Sequence, residues 1–240
     1  MLTNIMLVVA ALLSGGVNKS PDPAPARQAT ESVAPAQAVA DRVIARVQAF
    51  YDDTAHLTAK FRQTYTNATF GRNSVSSGRV WLKKPGKMRW DYINTHGKVD
   101  KSFISDGKTL WAVEHDNKQA YIKNLNDEAL PVAVTFLTGT GQLGREFKVA
   151  LDKSKTYGAA GDYVLELTPK KRTAQYKTLW LVVDPKSYRV KQSIILEPSG
   201  NTNHFRFYEP NTRAPVKESY FHVSQEALRR LHYRIIDGDK

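Results

Sequence analysis

The sequence predicts a mainly β chain, built as one large, curved antiparallel sheet or a barrel of about eleven strands, with a few helices. Three observations predict it. From Leu57 onward the apolar period drops to two, in short segments rich in β-branched and aromatic residues. Turn formers separate most of these segments: Lys84-Pro85-Gly86, Asp106-Gly107, Asp116-Asn117, Asp184-Pro185 and Ser199-Gly200. The stretch Ser105-Asp106-Gly107-Lys108-Thr109-Leu110-Trp111 is a strong hairpin signal, read as a type I′ turn in which Gly107 supplies positive φ.

Taken in order, Ile5 to Leu13 is an apolar run too short to span a bilayer, followed by Ser14-Gly15-Gly16. It is read as a secretory signal peptide over residues 1–16, although Met1 to Asn4 carry no Lys or Arg. Pro21, Pro23, Pro25 and Pro35 sit among Ala, Ser and Thr, which predicts a disordered linker over residues 17–37. Val39, Val43, Val47, Phe50 and Tyr51 recur at helical spacing, an amphipathic helix of about four turns. Such a helix packs on a core or covers the mouth of a sheet, and the spacing leaves both open.

The predicted strands are Leu57–Thr66, Ser77–Lys83, Lys87–Ile93, Asp100–Ser105, Thr109–Glu114, Gln119–Ile122, Phe147–Leu151, Tyr163–Thr168, Thr178–Val183, Val190–Glu197 and Asn203–Tyr208. Met88, Trp90 and Tyr92 alternate with Lys87, Arg89 and Asp91, as one buried and one wet face require. Leu179-Trp180-Leu181-Val182-Val183 is apolar on both faces, so other elements or a ligand cover both. The meander breaks at Pro131–Gly144, read as short helices and a loop. Ser224 caps a final helix, Gln225–Leu231.

The 240 residues suit one sizeable core. With no cysteine, a disulfide scaffold, a cysteine zinc site, a cysteine nucleophile and an acylated N-terminal cysteine are excluded. The net charge of +12 fits solubility, attraction to anionic lipid, or nucleic acid. Its cations are spread and no RNA-binding signature occurs, so nucleic acid is the weakest of the three. No G-x-S-x-G elbow, H-E-x-x-H or P-loop is present. His56, His96, His115, His204, His222 and His232 include no i, i+4 pair on one element, so no metal or other cofactor is expected. Ser105 is read as satisfying its turn, and Asp52-Asp53 as a helix end. What remains is apolar and aromatic: Trp81, Met88, Trp90, Phe103, Trp111, Phe136 and Trp180, either core or the lining of a cavity for a long apolar ligand.

Five motifs carry a resemblance. They are Phe61-Arg62-Gln63, Gly78-Arg79-Val80-Trp81-Leu82-Lys83-Lys84-Pro85-Gly86-Lys87-Met88-Arg89-Trp90, Ser105 to Trp111, Pro131–Leu143, and Gly200 to Phe207. In this order they resemble the LolA family, outer-membrane lipoprotein carriers, from about Val39 to about Val223. The resemblance implies an incomplete, unclosed antiparallel β-barrel whose mouth is covered by short lid helices, within a single lipid-binding domain over residues 38–236 and a tail over 237–240. It implies a hydrophobic cavity for lipoprotein acyl chains, no catalysis and a periplasmic monomer. The implied partners are an inner-membrane lipoprotein-releasing transporter and, if present, an outer-membrane acceptor. Val47 and Tyr51 on the lid, with Trp81, Met88, Trp90, Phe103, Trp111, Phe136 and Leu137, are the expected cavity and lid residues. Lys84 stands where the family has a lid-latching arginine, keeping the charge but not the two-pronged geometry. The alternatives left open are a binder of free lipid or glycolipid, and an envelope sensor domain that binds a protein partner.

Overall fold

A computed structural model describes residues 33–125, 141–154 and 156–238. The expected leader, most of the expected linker, Phe136, Leu137 and the end of the tail lie outside the described residues. Helix α1 spans Val33–Asp53. Six strands follow: β1 (His56–Asn67), β2 (Arg72–Lys83), β3 (Lys87–Ile93), β4 (Val99–Asp106), β5 (Thr109–Glu114) and β6 (Gln119–Asn124). After the short helix α2 (Leu143–Glu146) come β7 (Phe147–Leu151), β8 (Tyr163–Pro169), β9 (Thr178–Val183), β10 (Val190–Leu196) and β11 (Thr202–Asn211). A 3-10 turn (Glu218–Phe221), helix α3 (Gln225–Arg230) and β12 (Arg234–Asp237) complete the described chain.

The strands form one sheet in the order β12-β6-β5-β4-β3-β2-β1-β11-β10-β9-β8-β7, so it is unclosed, with β12 and β7 at its edges. Every pairing is antiparallel except β12 on β6. The chain is therefore mainly β with few helices, an unclosed, almost wholly antiparallel sheet as expected, of twelve strands where about eleven were predicted.

Several details differ from the sequence reading, among them β2, which begins at Arg72 and not Ser77. Helix α1 begins at Val33, within the stretch read as linker, because Pro35 falls in its first turn, where a missing N–H costs nothing. The turn after β4 is not type I′: of the loop residues Gly107 and Lys108, only Gly107 has positive φ, at 95°, as type II′ requires. Ser105 does satisfy this turn, its Oγ accepting from Gly107 N–H at 3.0 Å. The last helix stops at Arg230, and Ser224 caps it by accepting from Ala227 N–H. The twelfth strand was not expected, since Arg234–Asp237 is too short and too exposed to alternate visibly.

The concave face holds the core. Ala40, Val43, Ile44, Val47 and Tyr51 of α1 are buried in it, the i, i+3, i+4, i+7 stripe of a helix lying on apolar surface. Helix α1 also protects the β7 edge, where Gln37 Nε2 donates to the Val149 carbonyl at 3.0 Å. Gln48 joins it to the approach to α2, donating to the Gly141 carbonyl and accepting from Leu143 N–H.

Both flanks of the convex face are covered too. The C-terminal segment packs Val223, Leu228, Tyr233 and Ile235 over Ile104, Trp111, Val113 and Ala120. On the other flank, Tyr157 and Trp180 pack with Val164, Val182 and Ile194. That explains the doubly apolar β9: Leu179, Leu181 and Val183 face the main core, while Trp180 and Val182 face outward under Tyr157.

Candidate functional site

The site is the interior between α1 and the concave face of the sheet. Period two puts Leu57, Ala59 and Phe61 of β1, Val80 and Leu82 of β2, and Met88, Trp90 and Tyr92 of β3 on that face. Pairing fixes their neighbours: Val80 lies opposite Trp90, and Phe61 opposite Phe207. An aromatic cluster results, with the Phe61 ring centroid 5.1 Å from Trp90, 5.0 Å from Tyr92 and 6.0 Å from Phe205. Gly78 is required beneath it, because a Cβ there would overlap the Asp91 carbonyl oxygen and crowd the Phe61 ring.

At the end where α1 finishes, Tyr51, Leu57, Ala59, Val80, Leu82, Trp90, Arg189, Val190, Phe207 and Pro210 line a cavity of about 20 Å³. An apolar cavity that takes benzene is roughly 150 Å³, so this one, at the end where α1 meets the sheet, is too small to hold an acyl chain. The Tyr51 hydroxyl accepts from Val190 N–H at 3.3 Å, and burial pushes its pKa above the ordinary tyrosine value. It is a neutral hydroxyl fastening the end of the helix to β10. Beside it, Lys84 Nζ donates to the Asp52 carbonyl in the last turn of α1 at 2.6 Å. A cation at a helix C-terminus meets the negative end of the helix dipole and a carbonyl with no helical partner.

The expected residues divide into three groups. Val47, Tyr51, Met88, Trp90 and Phe103 come together in the interior, Trp90 being only partly buried. Two do not. Trp81 is on the convex face against Tyr220, ring centroids 5.4 Å apart, because its neighbours Val80 and Leu82 take the inward positions. Trp111 is also convex, beneath the C-terminal segment, while Leu110 and Ala112 face inward. Phe136 and Leu137 lie outside the described residues.

Leu57, Ala59, Val80, Leu82, Val190 and Phe207 line the same cavity and were not among the expected residues. The signal for two of them was present: a β2–β3 hairpin that turns Trp90 inward turns Val80 inward with it, and Leu82 by alternation.

Among the described residues, nothing in the interior is arranged for bond chemistry. The polar chain Arg89, Asp91, Ser102, His115 and Tyr233 is on the convex side, where it joins sheet to C-terminal segment. Among the described residues no group of three or more metal-ligating side chains occurs, and no helix is long and apolar enough to cross a membrane.

Comparison with known proteins agrees with this architecture. The Outer-membrane lipoprotein carrier protein of Chromobacterium violaceum is 31% identical over 147 residues, covering 61% of this chain and 65% of that one, just under two thirds of its length. The protein of the same description from Azotobacter vinelandii is 28% identical over 151 residues, 62% of this chain and 69% of that one. The crystal structure of an uncharacterized conserved protein from Thermus thermophilus superposes with a TM-score of 0.50 at 10% identity, over 83% of this chain and 99% of that one, a likeness of fold alone. Residues 52–224 match the family described as outer membrane lipoprotein carrier protein LolA, and on that match the chain belongs to the LolA family.

Proposed function

We propose that this chain is a periplasmic carrier that covers the acyl chains of lipoproteins and takes them from the inner to the outer membrane, without catalysis. The observation that carries the reading is the apolar interior on which, among the described residues, α1 lays its buried face. Burying Val43, Ile44, Val47 and Tyr51 stabilises the closed form by about 8 kcal/mol, at roughly 2 kcal/mol each. A long acyl chain in water costs on the order of 10 kcal/mol, at about 0.8 kcal/mol per methylene. The two are similar, so a chain can take the helix's place on the sheet at little net cost. Binding is then strong enough to shield cargo and weak enough to release it.

In this reading Val47 and Tyr51 are the lid's inward residues, Met88, Trp90 and Phe103 belong to the cargo surface, and Lys84 is the latch. The lysine offers one charge-assisted hydrogen bond to a carbonyl, a weaker fastening than a bidentate arginine would give. Loading from a membrane requires energy from outside, supplied by an inner-membrane lipoprotein-releasing transporter, and delivery ends at an outer-membrane acceptor where one exists.

The test is native mass spectrometry of the protein taken gently from the periplasm, with lipid analysis of what it holds. A co-purified acylated protein, lost in a folded Trp90→Glu variant and retained in Trp81→Glu, is the expected result. Free phospholipid or glycolipid in its place would replace the reading with a free-lipid binder. A folded protein that ignores lipid altogether would overturn both.

A further inference from the structure

The C-terminal segment covers the convex face over β3 to β6, and Tyr157 with its loop covers it over β8 to β10. The strip between them, β11-β1-β2, is open apart from its margins, where Tyr220 packs on Trp81 and Tyr157 touches His204. Strand pairing sets its outward residues in three rows: Tyr208, Lys60 and Arg79; Arg206, Arg62 and Ser77; His204, Thr64 and Val75. Arg206 thus stands directly opposite Arg62, and Lys60 directly opposite Arg79. Like charges directly opposed across strands destabilise a sheet, and here two such pairs are adjacent.

One anion relieves this in part, as Glu209 bonds Lys60 at 2.7 Å. Asp91 lies opposite Arg79 but is bonded by Arg89 and Ser102. Among the described residues Arg62, Arg79 and Arg206 make no ion pair within 4 Å. A groove of about 340 Å³ lies beside Arg79, lined also by Thr58, Lys60, Trp81 and Glu209. The same strip carries large exposed apolar side chains: Tyr208 is 45% exposed, Val75 52%, and Phe70, at the tip of the β1–β2 hairpin, 72%. Cations flanked by exposed aromatic side chains match the chemistry of a bilayer interface, where phosphates meet acyl chains.

We propose that the β11-β1-β2 strip is a docking surface for an anionic phospholipid membrane, with Arg62, Arg79 and Arg206 on headgroup phosphates and Phe70 entering the interface. This goes beyond the carrier reading, places membrane contact on the face opposite the cargo cavity, and is tested without cargo.

The experiment is vesicle flotation of the mature protein, comparing phosphatidylethanolamine vesicles that contain phosphatidylglycerol with pure phosphatidylcholine vesicles. The protein should float with the anionic vesicles only, and less so as salt rises. The double variant Arg62→Ser/Arg206→Ser should bind roughly 30-fold more weakly, at about one surface-charge contribution per arginine. Phe70→Ser should weaken binding by about tenfold. Folding is checked by the melting temperature, which should hold or rise in the double variant as the opposed charges are removed. Uptake of a fluorescent fatty acid should be unchanged in these variants, which separates this surface from the cavity. Equal binding to both vesicle types, undiminished binding by the folded double variant, or binding only to an acidic protein surface would each overturn the proposal.

Discussion

Replacing Tyr51 by Phe removes one oxygen from the inward face of α1 and leaves its ring. The oxygen accepts from Val190 N–H at 3.3 Å, in a buried place at the start of β10. Without it that N–H faces apolar lining, and a buried donor left unpaired costs about 1–3 kcal/mol. The phenylalanine form gains back part of this, since the hydroxyl was itself buried at a cost. A water in the adjoining space of about 20 Å³ is a poor substitute, because its lining is largely apolar and a buried water needs two to four polar partners. The net weakening is about 1–2 kcal/mol, or roughly 5–30-fold in the equilibrium that lifts the end of the helix. Amide hydrogen exchange reads this directly. Peptides from α1 should exchange faster by that factor, peptides from β1 to β3 should not, and uptake of a fluorescent fatty acid should quicken. If exchange in α1 is unchanged, or if the whole sheet accelerates equally, the hydroxyl does not fasten a lid and the argument fails.

Gly78→Ala places a Cβ against the Asp91 carbonyl and the Phe61 ring, neither of which can yield cheaply, so the urea midpoint should fall by the equivalent of about 3 kcal/mol or more. His204 is held down to about 4, chiefly by burial and then by Arg206, from an ordinary value of 6.5. Its folded form resists the proton that its unfolded form accepts, so its contribution is intact above 6.5 and is lost as pH falls toward 4. Because the ring is half-exposed, the loss is discounted to about 1 kcal/mol, and His204→Gln should flatten the melting temperature over that range. His115 is also lowered by burial and should add to the same acid sensitivity.

How much of the site was legible depended on what each signal encodes. Met88 and Trp90 share the core-facing side of β3 because that strand alternates charged with apolar residues, and only one of those faces can be buried. Trp81 and Trp111 lie instead on the convex face, which is covered as well. Once both faces are dry, a large aromatic on either is compatible with the pattern, and apolar character no longer tells inside from outside.

Local pattern was enough to specify the strands, because turn chemistry and a period of two are properties of neighbouring residues, and enough to specify the family, because long motifs stand in order. It was also enough for Val43, Val47 and Tyr51 of the buried stripe of α1, but the spacing named Val39 and Phe50, which are only partly buried, in place of Ala40 and Ile44, because a helix stripe is wide and contacts decide which of its edges is covered. The three-dimensional arrangement was needed to show which face of the sheet α1 closes, that Lys84 reaches the last turn of that helix, and that β12 returns parallel to β6. Those depend on contacts between residues far apart in the chain, whose free energy no local pattern carries. The exposed basic strip belongs with them: Arg62 and Arg206 become opposed charges only when β1 and β11, well over a hundred residues apart, are laid side by side.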